Sequence, residues 1–130
     1  SSLRSKNIEV HARSVFLQGL LLMTEENRPK KFNRWRALWK GWHGWLYDNR
    51  ISGLEATIRY AISLPEISKV VVGVETVKQL KEIFLASAGV LPEIPRELST
   101  EDPNLLNPSN WARLINMYFS VFFLPCVFSL

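Results

Sequence analysis

Residues 73–79 combine the features with which a protein holds a phosphate group. Gly73 lets the backbone turn tightly or approach a ligand closely. Thr76 and Gln79 have the spacing of a capping box, in which two side chains bind backbone amides at a helix start. Such a helix would direct its unpaired amides and the positive end of its dipole toward an anion. The pattern predicts an anion site, although many strand-to-helix turns carry these residue types and bind nothing.

A strand before this turn and a helix after it must position the site. Val70, Val71 and Val72 are consecutive β-branched residues, which is typical of a central strand in a parallel sheet covered on both faces. After the turn, apolar residues recur at spacings of three and four up to Gly89, which suits a helix end. These apolar residues are Val77, Leu80, Ile83, Phe84 and Ala88. In α/β proteins, ligands bind at the carboxyl ends of such strands.

Residues 8–22 begin with alternating apolar and polar residues and pass into an apolar run. Ile8 and Val10 would fall on one face of an extended chain, with polar residues on the other. The pattern predicts a strand that ends near Phe16, followed by a loop at residues 18–19.

Polar side chains of this predicted strand could take part in chemistry. His11 and Glu9 lie one pleat apart and would form an acid–base pair if both were buried. Ser14 could offer its hydroxyl to a ligand at the strand end. We favour the simpler interpretations, an ordinary strand histidine and a turn-forming serine.

Residues 24–50 form a basic segment rich in tryptophan. The tryptophans at positions 35, 39, 42 and 45 are spaced by four, three and three residues, so they would share one face of a helix. A helix with tryptophans among basic residues could stack on single-stranded bases or lie in a membrane interface. We favour an inserted helix that docks its aromatic face on the rest of the protein, because Gly41 and Gly44 weaken an isolated helix.

Ser52 and Glu55 form a second capping box, and an apolar stripe follows until Pro65. The predicted order is therefore strand, insertion, helix, strand, helix. This order predicts an α/β fold in which two parallel strands are joined by a crossover. Two such strands cannot bury both of their faces alone, so the fold is incomplete as given.

The composition is that of a globular domain and excludes a disordered or fibrous protein. The 130 residues are one domain's worth, and 47% are hydrophobic, as in a packed core. The single cysteine, Cys126, can form no internal disulfide, so the cytoplasm is the expected compartment. The net charge of +4 is too small to indicate a nucleic-acid partner.

The chain has a proline-rich, polar stretch at residues 91–104 and an apolar tail at residues 111–130. The 14 residues from Met117 are nearly all apolar, but they are shorter than the roughly 20 residues that a membrane helix needs. Pro125 also interrupts them. We expect a docked tail rather than a membrane span.

Two segments together resemble the aldo-keto reductase family. Residues 13–20 read Arg-Ser-Val-Phe-Leu-Gln-Gly-Leu, and residues 72–82 read Val-Gly-Val-Glu-Thr-Val-Lys-Gln-Leu-Lys-Glu. They are similar to the segments that follow the seventh and eighth strands of that family's (β/α)8 TIM barrel. The resemblance covers residues 8–110. It implies that residues 1–110 are the C-terminal part of such a barrel, with residues 24–50 as an insertion.

The resemblance also implies a site for NADPH or NADH across the carboxyl end of the barrel. Arg13 matches the position that stacks on the nicotinamide, and Ser14 and Phe16 match the loop that passes the pyrophosphate. The second segment matches the part of the site that holds the adenosine end. Its matching residues are Gly73, Val74, Glu75, Thr76, Gln79 and Glu82.

This sequence departs from the family pattern at three points. Glu75 stands where many members hold the 2′-phosphate of NADPH with a basic or hydroxyl residue, and a carboxylate suits the free ribose of NADH instead. Ile83 stands where the family often has an asparagine beside the adenine. The family's catalytic tyrosine, lysine, aspartate and histidine all belong to the first half of the barrel. No catalytic or metal-binding residue is therefore assigned, and the chain alone should be inactive.

Besides binding of nucleic acid or a membrane by the basic tryptophan-rich segment, two functions remain open at this point. The first is a C-terminal fragment of an NAD(P)H-dependent oxidoreductase whose full-length parent binds the nicotinamide cofactor and reduces a carbonyl substrate. The alternative is a non-enzymatic remnant that binds a nucleotide or another protein. Neither nucleic acid nor a membrane is an expected partner, whereas exposed barrel surfaces predict self-association.

Overall fold

The computed structural model of the chain describes residues 8–114 and 127–129, which form a mixed α/β fold. Its strands and α-helices are β1 (His11–Ala12), α1 (Arg36–Asn49), α2 (Gly53–Ser63), β2 (Lys69–Gly73), α3 (Val77–Ser87), α4 (Pro103–Leu106) and β3 (Val127–Ser129). Short 3-10 helices lie at Leu20–Leu22, Lys30–Trp35, Arg96–Leu98 and Pro108–Leu114. The predicted order of strand, insertion, helix, strand and helix is therefore present.

β2 is the central strand of a three-stranded sheet. β1 pairs with it in parallel, with His11 opposite Lys69 and Ala12 opposite Val70. β3 pairs with its other edge in the antiparallel direction, with Val72 opposite Phe128. The prediction of a central strand is confirmed, but the sheet is mixed and not purely parallel.

β1 is much shorter than predicted, because the chain leaves the sheet after Ala12. Ser14, Leu17 and Gln18 have positive φ angles of 58°, 48° and 54°, which are incompatible with a strand. The amide of Leu17 donates to the carbonyl of Ser14, and a turn replaces the expected extended backbone. The strand ending near Phe16 was a wrong prediction, whereas the loop at residues 18–19 is confirmed.

The capping box before α2 is complete. Ser52 Oγ accepts the Glu55 amide at 3.1 Å, and the Glu55 carboxylate accepts the Ser52 amide at 2.8 Å. α3 begins at the predicted threonine cap, and Gly89 follows its end with a φ of 111°. The two helices are each other's main packing partner and together cover β2.

The tryptophan-rich segment folds as predicted for a docked helix. α1 is preceded by the 3-10 helix Lys30–Trp35 and followed by its C-cap Arg50, whose φ of 54° is left-handed. The indole N–H groups of all five tryptophans donate to acceptors within the chain. The aromatic face is therefore used in packing within the described structure.

Two hydrophobic clusters divide the fold. The first core lies around β2 and consists of Ile58, Ala61, Val70, Val72, Val74 and Ile83. The second core lies beside α1 and consists of Leu20, Phe32, Trp39, Leu105 and Trp111. Trp111, at which the apolar tail was predicted to begin, therefore belongs to the folded region.

Most of the apolar tail lies outside the described residues. Residues 115–126, including Cys126, and Leu130 are outside them, as are residues 1–7 at the other end of the chain. Across the described residues, the helices are too short or too polar to traverse a bilayer.

Candidate functional site

The parallel pairing of β1 with β2 brings the two predicted ligand-binding loops to one edge of the sheet. Ala12 lies opposite Val70, so Arg13 leaves β1 at the edge toward which β2 continues to Gly73. The first loop is residues 13–19, and the second is residues 73–76. We refer to this edge with its two loops as the carboxyl edge.

The first loop exposes its polar residues and turns its apolar ones inward. Arg13 and Ser14 are exposed, whereas Phe16 is half-buried against the first core. The positive φ of Ser14 turns the chain so that Val15 and Phe16 reach this core. Arg13 and Ser14 are thus accessible to a ligand, and Phe16 serves mainly to anchor the loop.

Some residues of the second loop can offer a ligand only their backbone, and others can also offer a side chain. Val74 is 8% exposed and packs in the first core, so only its backbone is available. Glu75 and Thr76 are exposed. A Cβ added to Gly73 would meet no described atom within 4 Å, and its φ is not positive. Glycine is therefore required at this position neither by a strained turn nor by packing. The open space beside Gly73 leaves room for a ligand to approach the backbone closely.

The cap of α3 differs from the predicted capping box. Thr76 Oγ1 accepts the Gln79 amide at 3.1 Å, as expected. Gln79 Oε1, however, accepts the amide of Glu75 at 2.8 Å and not that of Thr76. The Gln79 side chain is therefore engaged in the cap. The first amides of a helix have no intrahelical acceptor, so those of Val77 and Lys78 are the donors left for an anion.

The charged side chains of this helix start are solvated. Lys78 Nζ lies 3.9 Å from Glu82 Oε1, and both side chains are at least half exposed. Such surface pairs contribute little to stability. Glu75 is exposed and precedes the cap residue of α3 by one residue. The helix start therefore carries charges of both signs, with Lys78 and Glu82 one helical turn apart.

His11 and Glu9 do not form a buried acid–base pair. Their side chains are 48% and 51% exposed, with His11 Nε2 3.1 Å from Glu9 Oε1. The same carboxylate oxygen lies 2.6 Å from Lys69 Nζ. The hydrogen bond from Lys69, followed by that from His11, lowers the pKa of Glu9. His11 is thus an ordinary strand histidine in a surface ion-pair network.

A groove that the sequence analysis did not predict opens beside β1, with a volume of about 590 Å³. Its walls are three tryptophans of α1, the α2 face around Tyr60 and the proline-rich stretch from Ile94 to Thr100. Trp42 and Trp45 stack there with ring centroids 5.7 Å apart. The tryptophan spacing predicted an aromatic face but not the space between this face and its neighbours.

Arg28 and His43 form a second feature that sequence reasoning missed. Arg28 is 7% exposed, and its Nη2 lies 2.7 Å from His43 Nε2. Arg28 and His43 are 15 positions apart in sequence, separated by a 3-10 helix and half of α1, so no local pattern indicates the contact.

The chain matches no protein-family model, and no curated protein or solved structure is significantly similar to it. The candidate site is therefore defined by the geometry of the carboxyl edge.

Proposed function

We propose that this chain is the C-terminal portion of an NAD(P)H-dependent aldo-keto reductase, carrying part of the cofactor site and none of the catalytic residues. The observation that carries the proposal is the parallel pairing of β1 with β2. It supports the proposal because the two loops that resemble the family's cofactor loops reach the same edge. In the (β/α)8 barrel of the proposed parent, the active site is built at this edge.

The second loop offers the elements that an adenosine phosphate needs. The amides of Val77 and Lys78 are available donors at the positive end of the α3 dipole. The open space at Gly73 lets the phosphate approach the backbone. These two features fit the adenosine end of a nicotinamide cofactor.

The first loop would position the nicotinamide end. Arg13 is exposed, and its planar guanidinium can stack on an aromatic ring. Ser14 is exposed next to it and can donate a hydrogen bond to a phosphate oxygen. The cofactor, when bound, supplies a hydride to a carbonyl carbon. This chain's residues bind and orient it, and the proton donor belongs to the part of the barrel that precedes them.

The alternative is a non-enzymatic remnant that binds a nucleotide or another protein. The apolar groove of about 590 Å³ favours it, since an open groove lined by tryptophans suits an interaction surface. The intact mass of the native product, detected with an antibody against residues 24–50, separates the two functions. A mass well above 15.0 kDa supports the enzyme portion, whereas a mass of 15.0 kDa supports the remnant.

The cofactor site itself is tested by titrating the 130-residue chain with NADH and NADPH. We expect the backbone amide resonances of residues 73–78 to shift on addition of either cofactor. Gly73→Leu should weaken binding at least about tenfold, because the side chain fills the space in which the phosphate approaches.

The matched control is Gly44→Leu, since Gly44 also has no described atom within 4 Å of an added Cβ but lies on α1. It should leave cofactor binding unchanged. Equal effects of the two substitutions, or shifts confined to residues away from the carboxyl edge, would contradict the proposed site.

A further inference from the structure

Arg28 places a buried positive charge between a loop and α1. It belongs to the segment Met23–Pro29, which links the first loop region to the 3-10 helix before α1. The guanidinium Cζ lies 4.3 Å from the centroid of the Trp39 ring, and Nη2 donates to the Met23 carbonyl at 3.1 Å. Burial lowers the pKa of Arg28, but a guanidinium remains charged at physiological pH.

The contact of Arg28 with His43 requires a neutral imidazole. A guanidinium carries only N–H donors, so His43 Nε2, at 2.7 Å from Arg28 Nη2, must be the acceptor. The imidazole proton is then on Nδ1. A protonated histidine has no acceptor and carries a positive charge. Protonation of His43 and its contact with Arg28 therefore exclude each other.

The surroundings of His43 also favour its neutral form. Burial and the charge of Arg28 lower the pKa of His43, whereas Glu25 opposes them. His43 lines a small cavity of about 240 Å³ with uncharged residues from the loop, α1 and the start of α2. The uncharged residues are Leu21, Leu22, Met23, Thr24, Leu46 and Gly53, and the carboxylate-bearing Glu25 lines the same cavity. On α1 itself, the exposed Lys40 and Tyr47 are one turn away from His43.

We propose that the Arg28–His43 contact is a pH-sensitive latch, which holds the segment Met23–Pro29 against α1 while His43 is neutral and releases it when His43 takes up a proton. Trp39 transmits the release. Its ring is covered by Arg28 and also lines the apolar groove, so loss of the guanidinium loosens one groove wall.

The direction of the pH effect follows from the lowered pKa. The unfolded chain takes up the histidine proton as the pH falls through about 6.5, whereas the folded chain does so only at lower pH. Stability therefore decreases with falling pH between about 6.5 and the pKa in the folded chain, and this contribution levels off below that pKa. The unperturbed pKa values of carboxyl groups, about 3.9 to 4.3, lie about two pH units below that of histidine.

The latch is tested by NMR on the whole 130-residue chain. The two histidines give two imidazole titration curves, which His11→Gln and His43→Gln assign. We expect His43 to titrate with a midpoint below about pH 6.5. The Trp39 indole N–H, which donates to the Phe32 carbonyl, and the Phe32 amide, which donates to Pro29, should lose exchange protection with the same midpoint.

His43→Gln should abolish this pH response while the segment stays protected, because the amide oxygen accepts from Arg28 and does not titrate. His11→Gln is the matched control and should retain the response, since His11 is exposed and its ion-pair partner is Glu9. A His43 midpoint at or above about 6.5, or a response that persists in His43→Gln, would overturn the latch. The titration of the unmodified chain decides the question even if a variant does not fold.

Discussion

At the scale of single residues, Glu75 is the position that most directly sets the cofactor preference we propose. It is exposed and lies in sequence one residue before the cap of α3. A 2′-phosphate placed near it would be repelled, whereas a free ribose hydroxyl could donate a hydrogen bond to it. The residue therefore favours NADH within the proposed function.

Glu75→Arg should reverse this preference. A guanidinium forms strong, paired hydrogen bonds with a phosphate, so the affinity for NADPH relative to NADH should rise at least about tenfold. Parallel calorimetric titrations with both cofactors measure this ratio. Glu66→Arg is the charge-matched control, because Glu66 is also exposed but lies before β2, at the opposite end of that strand. An equal change in both variants would mean that net charge, not contact at position 75, causes the effect.

At the scale of elements, the cap of α2 links helix stability to pH. The Glu55 carboxylate accepts the Ser52 amide and also lies 2.7 Å from Arg59 Nη2. The hydrogen bond from the Ser52 backbone, assisted by Arg59, lowers the pKa of Glu55. This contribution to stability is present above the unfolded pKa of about 4.3 and is lost as the pH falls through the folded pKa.

Glu55→Gln should cost about 1 kcal/mol at neutral pH, because the charged cap and the ion pair are lost. Urea unfolding at about pH 7 and about pH 3.5 should show that the variant loses less stability on acidification than the unmodified chain. Glu97→Gln, a change at an exposed carboxylate of the 3-10 helix Arg96–Leu98, provides the control. Parallel pH profiles for Glu55→Gln and the unmodified chain would contradict the assignment.

The spacing of residue types along the sequence predicted the helix caps, the central strand and the aromatic face of α1. The Ser52 and Thr76 caps, the valine strand and the tryptophan face of α1 all follow from the spacing of neighbouring residues. The early end of β1 did not follow, because left-handed backbone at Ser14 and Leu17 leaves no signal in residue type.

The sequence also predicted only part of the geometry of the candidate site, because the remaining contacts join residues that are distant in sequence. The sequence analysis placed Arg13, Ser14, Glu75 and Thr76 in the two loops, where all four are exposed, and Gly73 has open space beside it. The burial of Val74 and the use of Gln79 in the cap depend on packing between elements distant in sequence. The Arg28–His43 contact and the groove depend on such packing as well.

At the scale of the whole molecule, Trp111 is the most C-terminal residue of the second core among the described residues. It is 8% exposed, meets Phe32 edge-on with ring centroids 4.9 Å apart, and donates its indole N–H to the Leu105 carbonyl. The segment after the proline-rich stretch is therefore part of the packed structure at least to this residue.

Trp111→Ala should destabilise the chain by about 3–5 kcal/mol, as expected for removal of a large aromatic side chain from a core. Thermal or urea unfolding measures the loss. Val90→Ala, at a position 85% exposed, should change stability by less than about 0.5 kcal/mol. A Trp111→Ala variant within that same range would show that α4 and the following 3-10 helix do not support the core.

The separation into two cores has a consequence for spectroscopy. The five tryptophans, at positions 35, 39, 42, 45 and 111, lie in the second core or on the neighbouring face of α1, and the first core contains none of them. Tryptophan fluorescence therefore reports on the second core and α1, while circular dichroism also follows α2, α3 and the sheet. If the two cores melt separately, the two optical signals will give different midpoints. Coincident curves would instead identify one cooperative unit that spans the groove.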